Sequence, residues 1–345
     1  MMPTSLQTLQ ILAPHQIETL QVLYLARFAP ESDVGDARPE FHPIGGVFAQ
    51  YHYELYKLIQ SLGIHVTPGH EVADLLTTVA NYNYVFTVYN RSTRPVRNFE
   101  VLISSICEYL QLPYLGAPPN IRACAEDKLL TKTLAQSLHI PTPLGKVYAQ
   151  AENLYPPDFS PPYFIKPRFG AASEGISADS FQTTWAGAKQ QIYQMLTQDY
   201  KECLLEQAIA GTDITVPVLG AKHPIILPCM EEIAETAFGV AVREHKLLQA
   251  KGRERVVLQQ TDLIAQITHY VNRLLDVLTP FDYLRVDFRL SEDRRQVFLT
   301  EVNIACNLAS YAAVSQAAQH VGITQQDLLQ HIISYSLARQ QVKLT

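Results

Sequence analysis

A chain of 345 residues, 47% hydrophobic and 17% charged, has an ordinary globular composition and the length for two or three domains. Its formal charge of −6, without any Lys/Arg-rich run, argues against a nucleic-acid partner, and no apolar run approaches a membrane span. The five cysteines, Cys107, Cys124, Cys203, Cys229 and Cys306, are scattered and lack CxxC spacing, a pattern of reduced thiols in a cytoplasmic protein rather than of a disulfide framework or a zinc site.

Residues 1–20 form a weakly amphipathic lead-in with no basic segment ahead of an apolar stretch, so no export signal is expected. Leu20-Gln21-Val22-Leu23-Tyr24-Leu25-Ala26 reads as a buried strand. The segment 29–43, with three prolines and Glu31, Asp33, Asp36 and Glu40, is a polar loop. It ends at Gly45-Gly46, which either makes a plain turn or lets the backbone approach a ligand. Helical spacing runs through Tyr53-Glu54-Leu55-Tyr56-Lys57-Leu58-Ile59 and closes at Gly63. Ile64-His65-Val66 and Tyr84-Val85-Phe86-Thr87-Val88-Tyr89 follow as strands. Residues 99–110 are an amphipathic helix leading to Pro113-Tyr114-Leu115-Gly116. Strands alternating with helices predict a parallel, Rossmann-like sheet over residues 1–118.

A helical pattern covers residues 121–138, with Lys128 and Lys132 four apart on one face, and Ile140-Pro141-Thr142-Pro143 breaks it. Tyr163-Phe164-Ile165-Lys166-Pro167 is a strand ending in a lysine. In the loop Arg168-Phe169-Gly170-Ala171-Ala172-Ser173-Glu174-Gly175, small side chains let backbone N–H groups close on phosphate oxygens, with Lys166 adding charge; a flexible hairpin tip reads equally well. The Gly-Lys-Ser/Thr ending of a Walker loop is missing. Residues 181–197 are helical, Cys203-Leu204-Leu205-Glu206-Gln207-Ala208-Ile209 is an apolar strand, and the next strand begins at Gly211. Glu206 and Asp213 are acceptors where these strands meet, suited to a nucleoside's hydrogen bonds or to a plain charged surface. Residues 231–256, with Arg243, His245, Lys246, Lys251, Arg253 and Arg255, read as a basic loop that either covers an anionic intermediate or is simply solvated. A helix is expected over 262–278 and a closing one over 323–338, after Gly322.

Between those two helices, Leu284-Arg285-Val286-Asp287-Phe288-Arg289-Leu290 and Val297-Phe298-Leu299-Thr300-Glu301-Val302-Asn303 read as strands joined by the polar turn 291–296. Pairing them sets Asp287 and Glu301 on one face, with Asn303 two residues on. Two carboxylates and an amide oxygen make a hard-oxygen site suited to Mg²⁺ with nucleotide phosphates. A solvated polar face would show the same short patterns.

In this order the pieces resemble the ATP-grasp enzymes of the D-alanine–D-alanine ligase family. The resemblance rests on Pro113-Tyr114-Leu115-Gly116, Ala125-Glu126-Asp127-Lys128-Leu129-Leu130-Thr131-Lys132, Ile140-Pro141-Thr142-Pro143 and Phe164-Ile165-Lys166-Pro167 with its small-residue loop. Glu206 with Asp213, Arg285-Val286-Asp287 and Glu301-Val302-Asn303 complete it. It implies an α/β (α+β) ATP-grasp fold: an N-terminal Rossmann-like pre-ATP-grasp domain over 1–118, a central subdomain over 119–214, and a C-terminal subdomain with the metal site over 215–345. ATP and Mg²⁺, as two ions, are the implied cofactors and small molecules the implied substrates; a homodimer follows by analogy alone. Lys128 and Lys166 would hold phosphates, with Ala172 and Ser173 in the loop over the γ-phosphate. Glu206 would read the adenine amino group, with Gln207 and Ile209 beside it in the cofactor site and Asp213 on the ribose. Asp287, Glu301 and Asn303 would bind metal. Arg285, Ser173 and Lys166 would act on the developing charge. Such enzymes phosphorylate a carboxylate-type oxygen, and an amine then displaces the phosphate.

The resemblance also shows where this chain departs. After Glu-x-Asn, ligases that make D-alanyl-D-alanine continue Thr-x-Pro-Gly, and here stands Ile304-Ala305-Cys306-Asn307. The serine that holds the second substrate's carboxylate becomes Ala312, with Ser310 nearby, and the glutamate on the first amino acid's ammonium becomes Gln50. The segment 89–98 replaces the family's His-Gly…Gly-Glu-Asp-Gly, and the Tyr-x-x-Lys-Tyr motif is absent. Arg91, Arg94 and Arg97 become candidates for binding an acidic substrate, with Gln50, Asn307 and Ser310 as further contacts; a solvated loop would carry the same arginines. Segments 90–101 and 166–175 look most like the ligases of mycosporine-like amino acid biosynthesis, which join mycosporine-glycine to serine, threonine or glycine. A D-alanine–D-alanine or other dipeptide ligase is one alternative. A non-catalytic ATP-binding protein is another, against which the full set Lys128, Lys166, Asp287, Glu301 and Asn303 argues.

Overall fold

The computed structural model describes residues 9–26, 49–69, 72–77, 79–88, 99–170, 175–198, 201–234 and 253–341. The lead-in carries a short helix, α1 (Pro14–Thr19), with proline at its start. Strand β1 (Gln21–Leu25), helix α2 (Ala49–Ser61), strand β2 (His65–Gly69), helix α3 (Val72–Thr77), strand β3 (Tyr84–Thr87) and helix α4 (Phe99–Tyr109) follow in turn. The strands pair in parallel in the order β2-β1-β3. Every residue of β3 is buried, as expected of a parallel strand covered on both faces. On one face α2 sets Leu55 and Ile59 against Val22, Tyr24 and Phe86. On the other, α3 and α4 set Leu75, Ile103 and Cys107 against Leu23, Leu25 and Val85. The Rossmann-like expectation stands. Gly63 ends α2 at φ +84, a backbone state in which glycine carries no penalty.

Residues 121–138 do not form one helix. Helix α5 (Pro119–Glu126) stops at Asp127, whose extended backbone (φ −91, ψ 102) lets its side chain accept the N–H groups of Leu129 and Leu130 and start α6 (Lys128–Ser137). Strands β4 (Gly145–Tyr148), β5 (Tyr163–Pro167), β6 (Phe181–Gln182) and β7 (Cys203–Gln207) form an antiparallel sheet ordered β4-β7-β5-β6. Helix α7 (Trp185–Thr197) lies between β6 and β7 in the chain and packs Ala188, Ile192 and Met195 on Ile165, Cys203 and Leu205. It begins later than the expected 181, because Phe181 and Gln182 pair with Phe164 and Tyr163 and Thr184 caps it.

The third sheet runs β11-β10-β8-β12-β13 with β9 against β8, built from β8 (Gly211–Leu219), β9 (Ile225–Ile226), β10 (Met230–Ala234), β11 (Arg253–Val257), β12 (Tyr283–Ser291) and β13 (Val297–Ile304). The expected irregular loop over 231–256 is therefore strand at both ends, where Met230–Ala234 pairs with Arg253–Val257; its middle lies outside the described residues. Helix α8 (Thr261–Leu278) buries Ile267, Val271 and Leu274 under Ile214, Val216, Val286 and Phe288. Two helices close the chain, α9 (Ala313–His320), unanticipated from sequence, and α10 (Gln325–Arg339). Among the described residues no helix is long and apolar enough to cross a membrane.

Candidate active site

The free face of the third sheet carries the polar cluster. In the β12–β13 hairpin Asp287 pairs with Glu301 and Arg285 with Asn303, so the four side chains form two adjacent rows. A bulge makes this possible. Phe288 pairs with Leu299, which leaves Thr300 as the extra residue before Glu301. Val297 and Leu299 then point into the core on one side of the bulge and Val302 and Ile304 on the other, while Glu301 and Asn303 turn outward. Without it, Leu299 and Glu301 would share a face. Thr300 Oγ donates to the Asp287 carbonyl at 3.0 Å and pins the bulge.

Asp287 is the hub. Its carboxylate accepts from Arg285 Nε at 2.9 and 3.1 Å and Nη2 at 2.7 Å, from Asn303 Nδ2 at 3.0 Å, and from Thr215 Oγ at 3.0 Å on the neighbouring strand. Burial alone would weaken the charge of Arg285, but Asp287, with Glu301 behind it, holds the guanidinium firmly protonated. Glu301 meets Lys128 Nζ at 3.2 Å, and Lys128 also donates to the Gly170 carbonyl at 2.6 Å. The lysine at the start of α6 thus spans the hairpin and the small-residue loop. Among the described residues no three His, Cys, Asp or Glu side chains gather, so a cation here would take two carboxylates and the Asn303 amide.

A second cluster lies on the β5–β7 sheet. Glu206, 3% exposed, stands between Lys132 and Lys166, with Lys132 Nζ 2.8 Å from Oε1 and Lys166 Nζ 2.7 Å from Oε2. Burial pushes the carboxyl up, but the two ammonium groups overcome that and hold it at about 2. The Lys132 contact lies off the angle of a hydrogen bond and is Coulombic, so Oε1 lacks a well-aligned donor. Lys132 also donates to the Pro143 carbonyl. The sequence marks Lys132 only as sharing a face with Lys128; its pairing with Glu206 needed the β4–β7 register, which carries Glu206 opposite Gly145.

Other expected residues fall into place unevenly. Asp213 pairs with Arg289 across β8 and β12 at 2.8 Å, and Arg289 Nε also donates to the Ile209 carbonyl at 2.9 Å. The backbone N–H of Gln207 is taken by the Leu144 carbonyl at 2.8 Å. Asn307 Oδ1 accepts from the Ala309 N–H at 2.7 Å, so its acceptor serves its own turn. Ser310 lines a cavity of about 280 Å³ with Tyr51, Glu54, Leu308 and Gln325. Ala172, Ser173, Arg91, Arg94 and Arg97, Gly45-Gly46 and the side chain of Gln50 lie outside the described residues. Arg168, quoted only as the head of a loop, forms two bonds to Asp127 and one to Glu202, at 2.8, 2.6 and 2.6 Å, tying the loop to the start of α6.

Residues 150–334 match the family model described as D-ala D-ala ligase C-terminus. The D-alanine–D-alanine ligase of Bordetella petrii is 30% identical over 233 residues, covering 66% of this chain and 69% of its own length. That of Carboxydothermus hydrogenoformans is 24% identical over 253 residues, covering 69% of this chain and 78% of its own. The crystal structure of D-alanine–D-alanine ligase from Bacillus anthracis complexed with ATP superposes with a TM-score of 0.72 over 93% of this chain and 99% of that one; at 17% identity it speaks to the fold alone. The hairpin cluster and both lysine contacts fall within or against the matched region, and the chain belongs to the D-alanine–D-alanine ligase family of ATP-dependent carbon–nitrogen ligases with the ATP-grasp fold.

Proposed function

We propose that this protein uses ATP and Mg²⁺ to phosphorylate a carbonyl- or carboxylate-type oxygen and joins the same carbon to the amine of a small amino acid, with mycosporine-glycine and serine, threonine or glycine as the pair. The observation that carries the ligase reading is the convergence of Lys128, Arg285, Asp287, Glu301 and Asn303 on one sheet face. The donor set fits the cofactors. Asn303 spends its Nδ2 on Asp287, which leaves the amide oxygen to join two carboxylates around a hard cation. The buried Glu206 Oε1, without a well-aligned donor, suits an exocyclic amino group. Asp287, Glu301 and Asn303 would hold Mg²⁺, which would supply positive charge to the transferring phosphoryl oxygens. Lys128 and Arg285 are the fixed cations of that face, placed to stabilise charge as it develops there. In the reaction the acceptor oxygen bonds to the γ-phosphorus and ADP leaves. The amine then bonds to the acceptor carbon, gives up a proton, and inorganic phosphate departs.

The acceptor is argued from what the D-alanine pocket lacks. Ala312, at the position of the family's carboxylate-holding serine, is buried and offers a methyl group where a hydroxyl would be needed. The names of the relatives favour the second reading, a D-alanine–D-alanine ligase. A coupled ADP-release assay with ATP and Mg²⁺ separates them, comparing D-alanine alone with mycosporine-glycine plus serine, threonine or glycine. ADP formed only with mycosporine-glycine, with a product of longer-wavelength ultraviolet absorption, is expected. Turnover with D-alanine alone would replace the mycosporine-glycine reading with the D-alanine–D-alanine one.

A further inference from the structure

Of the three lysines in the two clusters, Lys132 alone is given no role by either the reaction scheme or the family resemblance. It is 6% exposed, as is Lys166, and Glu206 between them is 3% exposed, so three charges share one dry compartment. Burial weakens the proton affinity of Lys132 and Lys166 pushes it down further, while Glu206 opposes both. A buried carboxylate with one cation would be stranded whenever that cation turned elsewhere, and an uncompensated buried charge is strongly destabilising. Glu206 has a cation on each oxygen, at 2.8 and 2.7 Å. The two lysines differ in what else holds them. Lys132 is anchored in place by the Pro143 carbonyl, and its stem packs against Gly145, where an added Cβ would come 3.2 Å from Cε. Lys166 is the next-to-last residue of strand β5, just ahead of the small-residue loop that begins with Arg168.

We propose that Lys132 is a positioning residue that keeps Glu206 ionised and fixed, so that Lys166 can turn from Glu206 to a nucleotide phosphate without leaving a buried carboxylate unpaired. The proposal rests on the nucleotide reading of this cleft. It requires Lys132 to act through Glu206 and not on the nucleotide itself. With Lys132 present the carboxylate stays charged before and after nucleotide binds, and no proton moves. With a neutral side chain at 132, Glu206 keeps Lys166 in the free protein. When Lys166 turns away, burial raises the carboxyl above the working pH and it takes up a proton.

The test uses the full-length protein and ATP, with steady-state kinetics and calorimetry in two buffers of different ionisation enthalpy. Lys132→Met should raise the KM for ATP about tenfold or more while kcat stays within about threefold. Its ATP binding should take up close to one proton near pH 7.5, wild type close to none, and Lys132→Arg should restore both readouts. A Lys132→Met protein with wild-type KM and no proton uptake overturns the proposal. So does a raised KM without proton uptake, since lost packing alone would do that. If Lys132→Met does not fold, Lys132→Gln takes its place, with a polar amide where the ammonium stood and the Lys166–Glu206 pair kept; a wild-type KM or an absence of proton uptake in that variant overturns the proposal as well. Failure of wild type to bind ATP would instead refute the nucleotide reading, which the wild-type titration shows separately.

Discussion

At the scale of single residues, the hairpin cluster balances its charges within itself. Asp287 is neutralised by Arg285, and Glu301 by Lys128 at 3.2 Å. Glu301 is the more accessible of the paired carboxylates, its side chain 26% exposed, and Lys128 keeps its bond to the Gly170 carbonyl if Glu301 is lost. Replacing Glu301 by alanine should therefore change stability by only about 1 kcal/mol, the scale of a partly exposed pair. Turnover should fall by roughly 10³-fold or more, because a hard-oxygen ligand is gone where phosphoryl charge develops. A thermal melt and the ADP-release assay read the two effects independently, and near wild-type turnover would remove Glu301 from the metal set. That cluster is legible in the sequence because its spacing is short-range: Asp287, Glu301 and Asn303 sit on two strands joined by a six-residue polar turn, 291–296. Thr300 escapes notice until the apolar residues are counted, since Val297 and Leu299 keep one parity and Val302 and Ile304 the other.

At the scale of elements, the break between α5 and α6 decides where Lys128 points. Asp127 caps α6 through Leu129 and Leu130 and holds Arg168 by two bonds, so one carboxylate starts the helix and ties down the small-residue loop. Asp127, with Glu202, holds the Arg168 guanidinium well above its ordinary proton affinity. Asp127→Ala loses the cap and leaves Arg168 with Glu202 alone, and we expect a destabilisation of roughly 2–4 kcal/mol by chemical denaturation. Asp127→Asn should lose less, since an amide oxygen still caps. A helix starting with an aspartate before an apolar periodic run is a sequence signal. It is masked here because the pattern from Ile121 runs through Asp127 without a change of period. The strands at either end of 231–256 are hidden for another reason. Glu231, Glu232, Arg253 and Arg255 look like loop residues, and only their partners make them strand: Glu231 with Thr212 and Arg294, Glu232 with Arg255. Arg255 then donates to the Tyr311 carbonyl at 2.7 Å and fixes the turn ahead of α9.

Over the whole molecule, long-range contacts that no local pattern carries join the ends of the chain. The core that holds Tyr24, Tyr84 and Phe86 of the N-terminal sheet also holds Tyr283, Leu308, Leu329, Ile333 and Leu337. The proposed units 1–118 and 215–345 therefore share one interior, although the alternation of strands and helices was readable in the first and the β12–β13 hairpin in the second. Asp282 is fully buried and accepts the Gly116 N–H at 2.6 Å and Arg339 Nε at 2.7 Å, linking the exit of the first sheet, the start of β12 and the last helix. His331, on the same helix, is fully buried too. Its Nδ1 accepts the Gln10 N–H at 2.9 Å, so Nε2 carries the proton and faces the Gly220 carbonyl at 3.0 Å. A second proton would meet the Gln10 N–H and has no acceptor there. Burial, only partly offset by the Gly220 carbonyl, lowers the folded-state proton affinity of His331 below the ordinary 6.5. Unfolding in the acid range therefore takes up a proton at this site. The stability that His331 contributes is complete above about pH 6.5 and is lost as pH falls toward the lower folded value. Denaturation free energies between pH 7 and 5 should accordingly fall more steeply for wild type than for His331→Gln, by up to about 1.4 kcal/mol per pH unit. The groups common to both proteins cancel in that difference, so parallel slopes would show that His331 takes up its proton as readily in the folded chain as in the unfolded one, and the bridge from Gln10 to Gly220 would have to be drawn differently.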